Sequence, residues 1–249
     1  QVLRNELLNM NSLEKNSINS LDKNKIKLNK KIELKNIKFS YDNNQTIFNQ
    51  LNLIINQADK IFITGDSGVG KSTLAEIICG IIDPSTGSII VDGKILDLSK
   101  ELLNCSYLPQ KSFLLDDTIK KNIALGLKDD EIDQARIDIL LDIVDLKEFV
   151  ASLKFGIDTK VGELGNNLSG GQRQRISLAR ALYFNPSILI LDEATNALDE
   201  KSETLVLNNL SNFFKNTTMI IISHNMNVLK ICDKVIRISN GKIYIKKNN

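Results

Sequence analysis

At 249 residues the chain is long enough to bury a substantial core and suits one large or two small domains. Hydrophobic residues at 42% and charged residues at 25% are ordinary for a globular protein, and a formal net charge of +2 argues against nucleic acid or an anionic membrane surface as the main partner. No apolar run approaches the ~18–20 residues that span a bilayer, and no signal peptide is visible.

The first residue is Gln1 rather than Met, so the sequence reads as an excerpt from a longer protein. Residues 1–30 are rich in Asn, Lys and Ser with Leu at irregular intervals, and are expected to be a linker or a frayed helix leading in from an upstream domain. Order is expected from Lys31. Ile32 and Leu34, then Ile37, Phe39 and Tyr41, alternate in two short registers, as half-buried antiparallel strands do. Leu51–Ile55 and Ile61–Thr64 read as further strands, the second apolar enough to be central and buried. A helix is expected over Lys71–Cys79, then a turn at Asp83–Gly87, a strand at Ser88–Val91 and a turn at Asp92-Gly93.

From about 117 to 184 the spacing predicts helices at Thr118–Leu125, Asp129–Leu141 and Leu146–Leu153. Strand signals return at Ile188–Leu191 and Met219–Ile222, with helices at Glu200–Phe214 and Met226–Ile231. Val235–Ile238 and Lys242–Ile245 flank Asn240-Gly241, a strong hairpin signal. The picture is an α/β core interrupted by a helical insertion. Cys79, Cys105 and Cys232 are odd in number and widely spaced, which predicts neither a disulfide framework nor a zinc site but small buried residues.

Three motifs carry chemistry. Gly65-Asp66-Ser67-Gly68-Val69-Gly70-Lys71-Ser72, followed by Thr73, sits between a buried strand and a helix and fits the phosphate-gripping P-loop pattern. Its glycines let backbone N–H groups converge on phosphate oxygens, and the helix start adds partial positive charge. Lys71 is expected to reach the terminal phosphates and Ser72 to ligate Mg²⁺. The second is the apolar strand ending in Asp192-Glu193, with Asp192 expected to hold Mg²⁺ and Glu193 to polarise the attacking water. The third is Leu168-Ser169-Gly170-Gly171-Gln172. Ser169 is a good N-cap, but two glycines in a first turn are costly unless another molecule's phosphate must approach closely.

With these residues the sequence resembles the nucleotide-binding domain of ABC transporters, Leu168–Gln172 being that family's signature. The resemblance covers about residues 31–249. It implies a RecA-like P-loop NTPase core with an antiparallel β subdomain (31–116 and 185–249) and an inserted α-helical subdomain (117–184). It further implies that Tyr41 stacks on adenine, that Gln110 in Tyr107-Leu108-Pro109-Gln110 contacts Mg²⁺ and the attacking water, and that Ala197-Leu198-Asp199 is the D-loop. His224, the only histidine, matches the switch residue that contacts the γ-phosphate. Catalysis is therefore expected from Glu193, His224 and Gln110, ATP binding from Tyr41 and Gly65–Thr73, and Mg²⁺ ligation from Ser72, Gln110 and Asp192. Leu168–Gln172 would close over the ATP of a partner, giving a head-to-tail dimer.

Asn196 stands where the family often has Ser, and Leu164 where exporters usually have Arg. Thr159, Val161, Gly162, Glu163 and Gly165 resemble the exporter X-loop, and Asp117–Ile123 the exporter stretch after the Q-loop. The implied protein is an exporter or a lipid flippase, with lipid-linked oligosaccharide and lipid A flippases and peptide and drug exporters all open. Its ATPase would lie at the cytoplasmic face of the inner membrane, joined to an upstream transmembrane domain and paired with a second nucleotide-binding domain. The alternatives are an importer subunit or a non-transport ATPase with the same cassette; no sustained heptads lie between Lys71 and Asp192 to support the coiled-coil kind. Arg173, Arg175 and Arg180 fit two readings, an exposed basic helix face or a brace for the signature loop and the dimer.

Overall fold

The computed structural model describes residues 24–41 and 46–248. The central element is a six-stranded sheet built from β4 (Lys60–Thr64), β8 (Cys105–Leu108), β9 (Ile188–Asp192), β10 (Thr218–Ile222), β11 (Lys234–Ser239) and β12 (Lys242–Lys247), in the order β12-β11-β4-β10-β9-β8. Every pairing is parallel except the β11–β12 hairpin at the edge. The middle strands are apolar on both faces because both faces are covered. Leu189, Leu191, Met219 and Ile221 point into one core, while Ile188, Ile190, Ile220 and Ile222 point into the other.

Covering the second face are α1 (Lys71–Cys79) and a four-stranded antiparallel sheet in the order β3-β2-β5-β6, formed by β2 (Lys31–Ser40), β3 (Thr46–Asn56), β5 (Thr86–Val91) and β6 (Lys94–Ile95). The two registers expected over 32–41 belong to one strand. Its pairing slips between Leu34 and Ile37, where Asn36 adopts φ 53, so the inward set changes parity within β2.

The first face carries the helices: α2 (Ile119–Ile123), α3 (Gln134–Ile143), α4 (Lys147–Ser152), α5 (Gly170–Tyr183) and α6 (Glu200–Phe213). The single helix expected over Asp129–Leu141 is broken. A 3₁₀ turn at Asp129–Glu131 ends at extended Ile132, and Asp133 then caps α3 by accepting from Arg136 N–H at 3.0 Å. Met226–Ile231 is also 3₁₀ rather than α, begun by Asn225 accepting from Asn227 N–H.

Residues 1–23 of the expected linker lie outside the described residues. Within 24–30 the chain is structured: β1 (Asn24–Ile26) pairs in parallel with β7 (Glu101–Leu103), and Leu28 is buried. The cysteine expectation is corrected as well. Cys79, at the end of α1, and Cys105, at the start of β8, form a disulfide with their Cα atoms 5.7 Å apart. Sequence spacing of 26 residues hid a pair that the α1–β8 packing brings together. Cys232 alone fits the expectation, free and buried, with burial pushing its thiol up to about 12.

Candidate functional site

Four adjacent parallel strands, β4, β10, β9 and β8, end on the same side of the sheet. The segments that leave them are Gly65–Gly70, Ser223-His224, Glu193–Asp199 and Pro109-Gln110. The glycine loop, the Asp192-Glu193 pair, Gln110 and His224 are thus delivered to one edge by strand ends, where open α/β sheets hold ligands. β8, which positions Gln110, has no counterpart among the strands expected from sequence. It is a short edge strand whose residues other than Leu108 are only half-buried, so it has no apolar run to announce it.

The loop after β4 is shaped by glycine where nothing larger fits. A Cβ on Gly65, at φ +149, would lie 2.5 Å from the Ile238 carbonyl oxygen. On Gly70, at φ +100, it would lie 2.4 Å from Ile47 Cγ2. Gly70 is also the N-cap of α1 and offers no side chain, leaving the first-turn N–H groups facing outward. Lys71 is nearly buried, and its Nζ donates to the carbonyls of Gly65 at 3.0 Å and Asp66 at 2.9 Å, which stretches it along the loop. Together these make a cationic concavity suited to phosphate.

An open cleft of about 360 Å³ lies over this loop. Tyr41, Ser67, Gly68, Gly70, Lys71, Ser72, Thr73, Gln110 and Glu193 line it, with Ile47. Tyr41 shares a hydrogen bond of 2.8 Å with Thr73 Oγ1 and packs edge-on to Phe39, while 54% of the residue stays exposed. Its ring is anchored at the cleft rim with a free face.

Asp192 closes β9 at only 5% exposure. Its Oδ2 accepts from the Tyr107 hydroxyl at 2.8 Å. Burial, and then this contact with a carboxylate, push the Tyr107 phenol well above its ordinary value of 10.0, so it stays a donor. Glu76 on α1 is likewise raised, chiefly by burial and then by the Asp192 charge. Tyr107 is a site residue that the sequence marks only as a neighbour of Gln110. Among the described residues no cluster of three or more His, Cys, Asp or Glu could hold a metal alone. One carboxylate and one hydroxyl fit Mg²⁺, which usually takes its remaining ligands from phosphate and water.

Glu193 follows with φ 51, an uncommon left-handed conformation for a non-glycine residue, and its N–H donates to Ile222 O at 2.8 Å. That twist turns its carboxylate toward the cleft and away from the sheet. Gln110 Nε2 donates to Glu193 Oε2 at 2.7 Å, and Asn196 Nδ2 donates to the same oxygen at 3.1 Å. His224 Nε2 lies 3.1 Å from Oε1. The three residues expected to be catalytic therefore meet at one carboxylate, although Gln110 and His224 are far apart in sequence. Asn196 joins them, giving the departure from Ser a contact of its own.

Leu168–Gln172 stands apart from the cleft and lines none of it. Ser169 Oγ accepts from Gln172 N–H at 3.2 Å, and Gln172 Oε1 accepts from Ser169 N–H at 2.8 Å, a reciprocal box that starts α5. Gly171 lies under the D-loop, where a Cβ would meet the Ala197 carbonyl at 3.3 Å. Gln174 Oε1 accepts from Ala197 N–H at 3.0 Å, tying signature helix to D-loop. Asp199 caps α6 by accepting from Lys201 and Ser202 N–H, each at 3.1 Å. The bond from the Ser202 hydroxyl, followed by the backbone bonds, holds the Asp199 carboxyl below its usual range.

The arginines are not an exposed basic face. Arg173 Nη1 donates to Leu168 O at 2.6 Å, bracing the signature loop. Arg175 pairs with Asp145 at 2.8 Å, and Arg180 reaches Asn122 O at 2.7 Å and Phe113 O at 3.0 Å. Leu164, at the family's Arg position, is 63% exposed at φ 52.

A glycine loop and a carboxylate pair ending two parallel strands on either side of β10 define a P-loop nucleotide-hydrolysing protein. The profile described as ABC transporter matches residues 48–196. Over 216 residues, 85% of this chain, it is 43% identical to the alpha-hemolysin translocation ATP-binding protein HlyB of Escherichia coli O157:H7, covering 30% of that protein. It is 38% identical over 216 residues (85% of this chain) to the ATP-dependent lipid A-core flippase of Haemophilus ducreyi, covering 37% of it. A solved structure of a bacterial Atm1-family ABC exporter with ATP bound matches 91% of this chain and 40% of its own, with a TM-score of 0.82 at 31% identity. The chain belongs to the ABC transporter family and is an ATP-binding ATPase domain of it. It spans about a third of the length of these curated relatives, and among its described residues no helix is long and apolar enough to cross a membrane.

Proposed function

We propose that this chain is the ATP-hydrolysing domain of an ABC exporter, acting at the cytoplasmic membrane face and completing its sites with a second copy of itself. The observation that carries the proposal is the convergence of Gln110 and His224 on Glu193 at the mouth of the phosphate-gripping cleft.

In this reading Gly65–Thr73 bind the phosphates, and the exposed ring of Tyr41 stacks on adenine, a contact worth about 1–3 kcal/mol. Ser72, Asp192 and Gln110 would hold Mg²⁺, which when bound neutralises charge on the β- and γ-phosphates. Glu193 takes a proton from the attacking water as general base. Gln110 orients that water, and His224 contacts the γ-phosphate. The hydrogen bonds Glu193 accepts from Gln110 and Asn196 fix its carboxylate in advance, so little reorganisation is needed when charge develops.

Ser169–Gln172 do not line the cleft of their own chain. Supplied by a two-fold partner, they would close over the γ-phosphate from the other side, with Asp199 and the D-loop at the same seam. Hydrolysis would remove the charge that holds the pair closed. The relatives' greater length supports an upstream membrane domain. Their names, one for alpha-hemolysin and one for lipid A-core, carry over an ATP-driven step and not a cargo.

The test is Glu193→Gln. ATPase activity is expected to fall by about 10²-fold or more, and the variant with ATP and Mg²⁺ is expected to elute as a dimer in gel filtration. Wild-type turnover by this variant overturns the base assignment. Turnover per molecule independent of protein concentration overturns the shared site.

A further inference from the structure

We propose that Glu203 is a positioning residue for hydrolysis, a buried carboxylate that holds the loop carrying Glu193 and the loop carrying His224 in fixed register. The inference rests on Glu193 and His224 being the hydrolytic pair.

Glu203 lies in the first turn of α6 at 5% exposure. A carboxylate so placed is costly unless its oxygens are satisfied. Among the described residues no Lys, Arg or His forms an ion pair with it. Its Oε1 accepts from Thr195 Oγ1 at 2.6 Å, and its Oε2 accepts from Asn225 Nδ2. Thr195 is two residues beyond Glu193, and Asn225 directly follows His224. One side chain thus bridges the two polypeptide segments that deliver the reacting groups, without itself facing the nucleotide cleft.

The bridge has a defined polarity. Asn225 Oδ1 already accepts from Asn227 N–H at 2.9 Å, and Asn225 N–H donates to Ser223 Oγ at 3.0 Å. Its amide oxygen is engaged, so its nitrogen must face residue 203. Thr195 also presents a donor. Because a hydroxyl can accept as well as donate, residue 203 is required to accept only on the Asn225 side. The anchor is itself fixed, because Glu203 N–H donates to Asp199 O at 2.9 Å.

This polarity supplies a test that mere packing would not pass. Glu203→Gln keeps the bridge, since its amide oxygen accepts from Asn225 and its NH2 donates to Thr195 Oγ1. Asn225→Asp sets two carboxylates face to face. The double variant Glu203→Gln/Asn225→Asp restores the match, since the amide introduced at position 203 donates to the carboxylate introduced at position 225 while its oxygen still accepts from Thr195. The expected steady-state result is a kcat within about threefold of wild type in Glu203→Gln, a loss of about tenfold or more in Asn225→Asp, and recovery to within about threefold in the double variant. Binding of a fluorescent ATP analogue should change by less than about twofold throughout, because no nucleotide contact is altered.

Glu193→Gln and His224→Ala run alongside as controls. Wild-type rates in both controls overturn the hydrolytic assignment and with it the brace. Loss in both controls with wild-type kcat in Asn225→Asp overturns the brace alone. So does a double variant that melts like the wild type yet stays slow. If Asn225→Asp shows no melting transition, Thr195→Val removes one of the two donors and reports on the same bridge; unchanged kcat there also overturns it.

Discussion

The Tyr107 hydroxyl donates to Asp192 Oδ2 at 2.8 Å, fixing the carboxylate that ends β9 from a strand that meets it only at the sheet edge. Asp192 is nearly buried, so the bond replaces water that the carboxylate has lost. Tyr107→Phe is expected to destabilise the protein by about 1.5–3 kcal/mol, the usual cost of removing a hydrogen bond to a charged group. Urea unfolding at neutral pH measures it.

The same phenol predicts a pH effect. Its ionisation is raised above 10.0 in the folded chain. The stability it contributes is therefore complete below pH 10.0 and is lost as pH climbs beyond that value, where the unfolded chain releases a proton the folded one keeps. In an absorbance titration of tyrosinate, folded wild type and Tyr107→Phe should rise equally up to about pH 11. A smaller rise in the variant would show that Tyr107 titrates normally.

Asn196 donates to the oxygen of Glu193 that also receives Gln110. Removing this exposed donor by Asn196→Ala should slow kcat by about two- to tenfold, the equivalent of one modest hydrogen bond. Nucleotide affinity should stay the same, since Asn196 does not line the cleft. A kcat titration against ATP separates the two.

Gly70→Ala places a methyl group 2.4 Å from Ile47 Cγ2 and 3.0 Å from Phe48 Cζ, at a φ of +100 that L-residues rarely adopt. The loop must shift, so ATP binding is expected to weaken by about 10²-fold or more. Isothermal titration with a non-hydrolysable analogue measures the loss.

The Cys79–Cys105 disulfide closes a loop of 26 residues. Chain-entropy reasoning gives it about 3–4 kcal/mol of stabilisation. Cys79→Ser/Cys105→Ser should lower the urea midpoint relative to the oxidised wild type and match the wild type kept in a dithiol reductant. Mass spectrometry after alkylation of the unfolded chain should find one reactive thiol in the oxidised protein, that of Cys232.

Much of this molecule is legible locally. Lys71–Cys79 reads as a helix to the residue, and Val235–Ile238 with Lys242–Ile245 as a hairpin, because each obeys a short-range rule of glycine, turn or periodicity. Ile188–Leu191 and Met219–Ile222 read as strands, because burial on both faces leaves unbroken apolar runs. The spacing over Asp129–Leu141 suggests one helix and misleads, because Asp133 starts a new one through its own side chain. β8 leaves too little pattern for a reading, and the Cys79–Cys105 pair leaves none.

The sequence by itself determined the chemistry: which residues can grip phosphate, which carboxylates end a strand, and where a serine-capped helix with two glycines begins. These are properties of a few consecutive residues, set by sterics and hydrogen-bonding capacity over one turn of chain. Only the tertiary structure decided that Gln110, Asn196 and His224 share one oxygen pair on Glu193, that Arg173 braces Leu168 instead of facing solvent, and that Glu203 joins Thr195 to Asn225. The contacts of Gln110 and His224 with Glu193, and of Glu203 with Asn225, depend on strand order in the sheet, which is chosen by burying both its faces at once and leaves no mark at any single position.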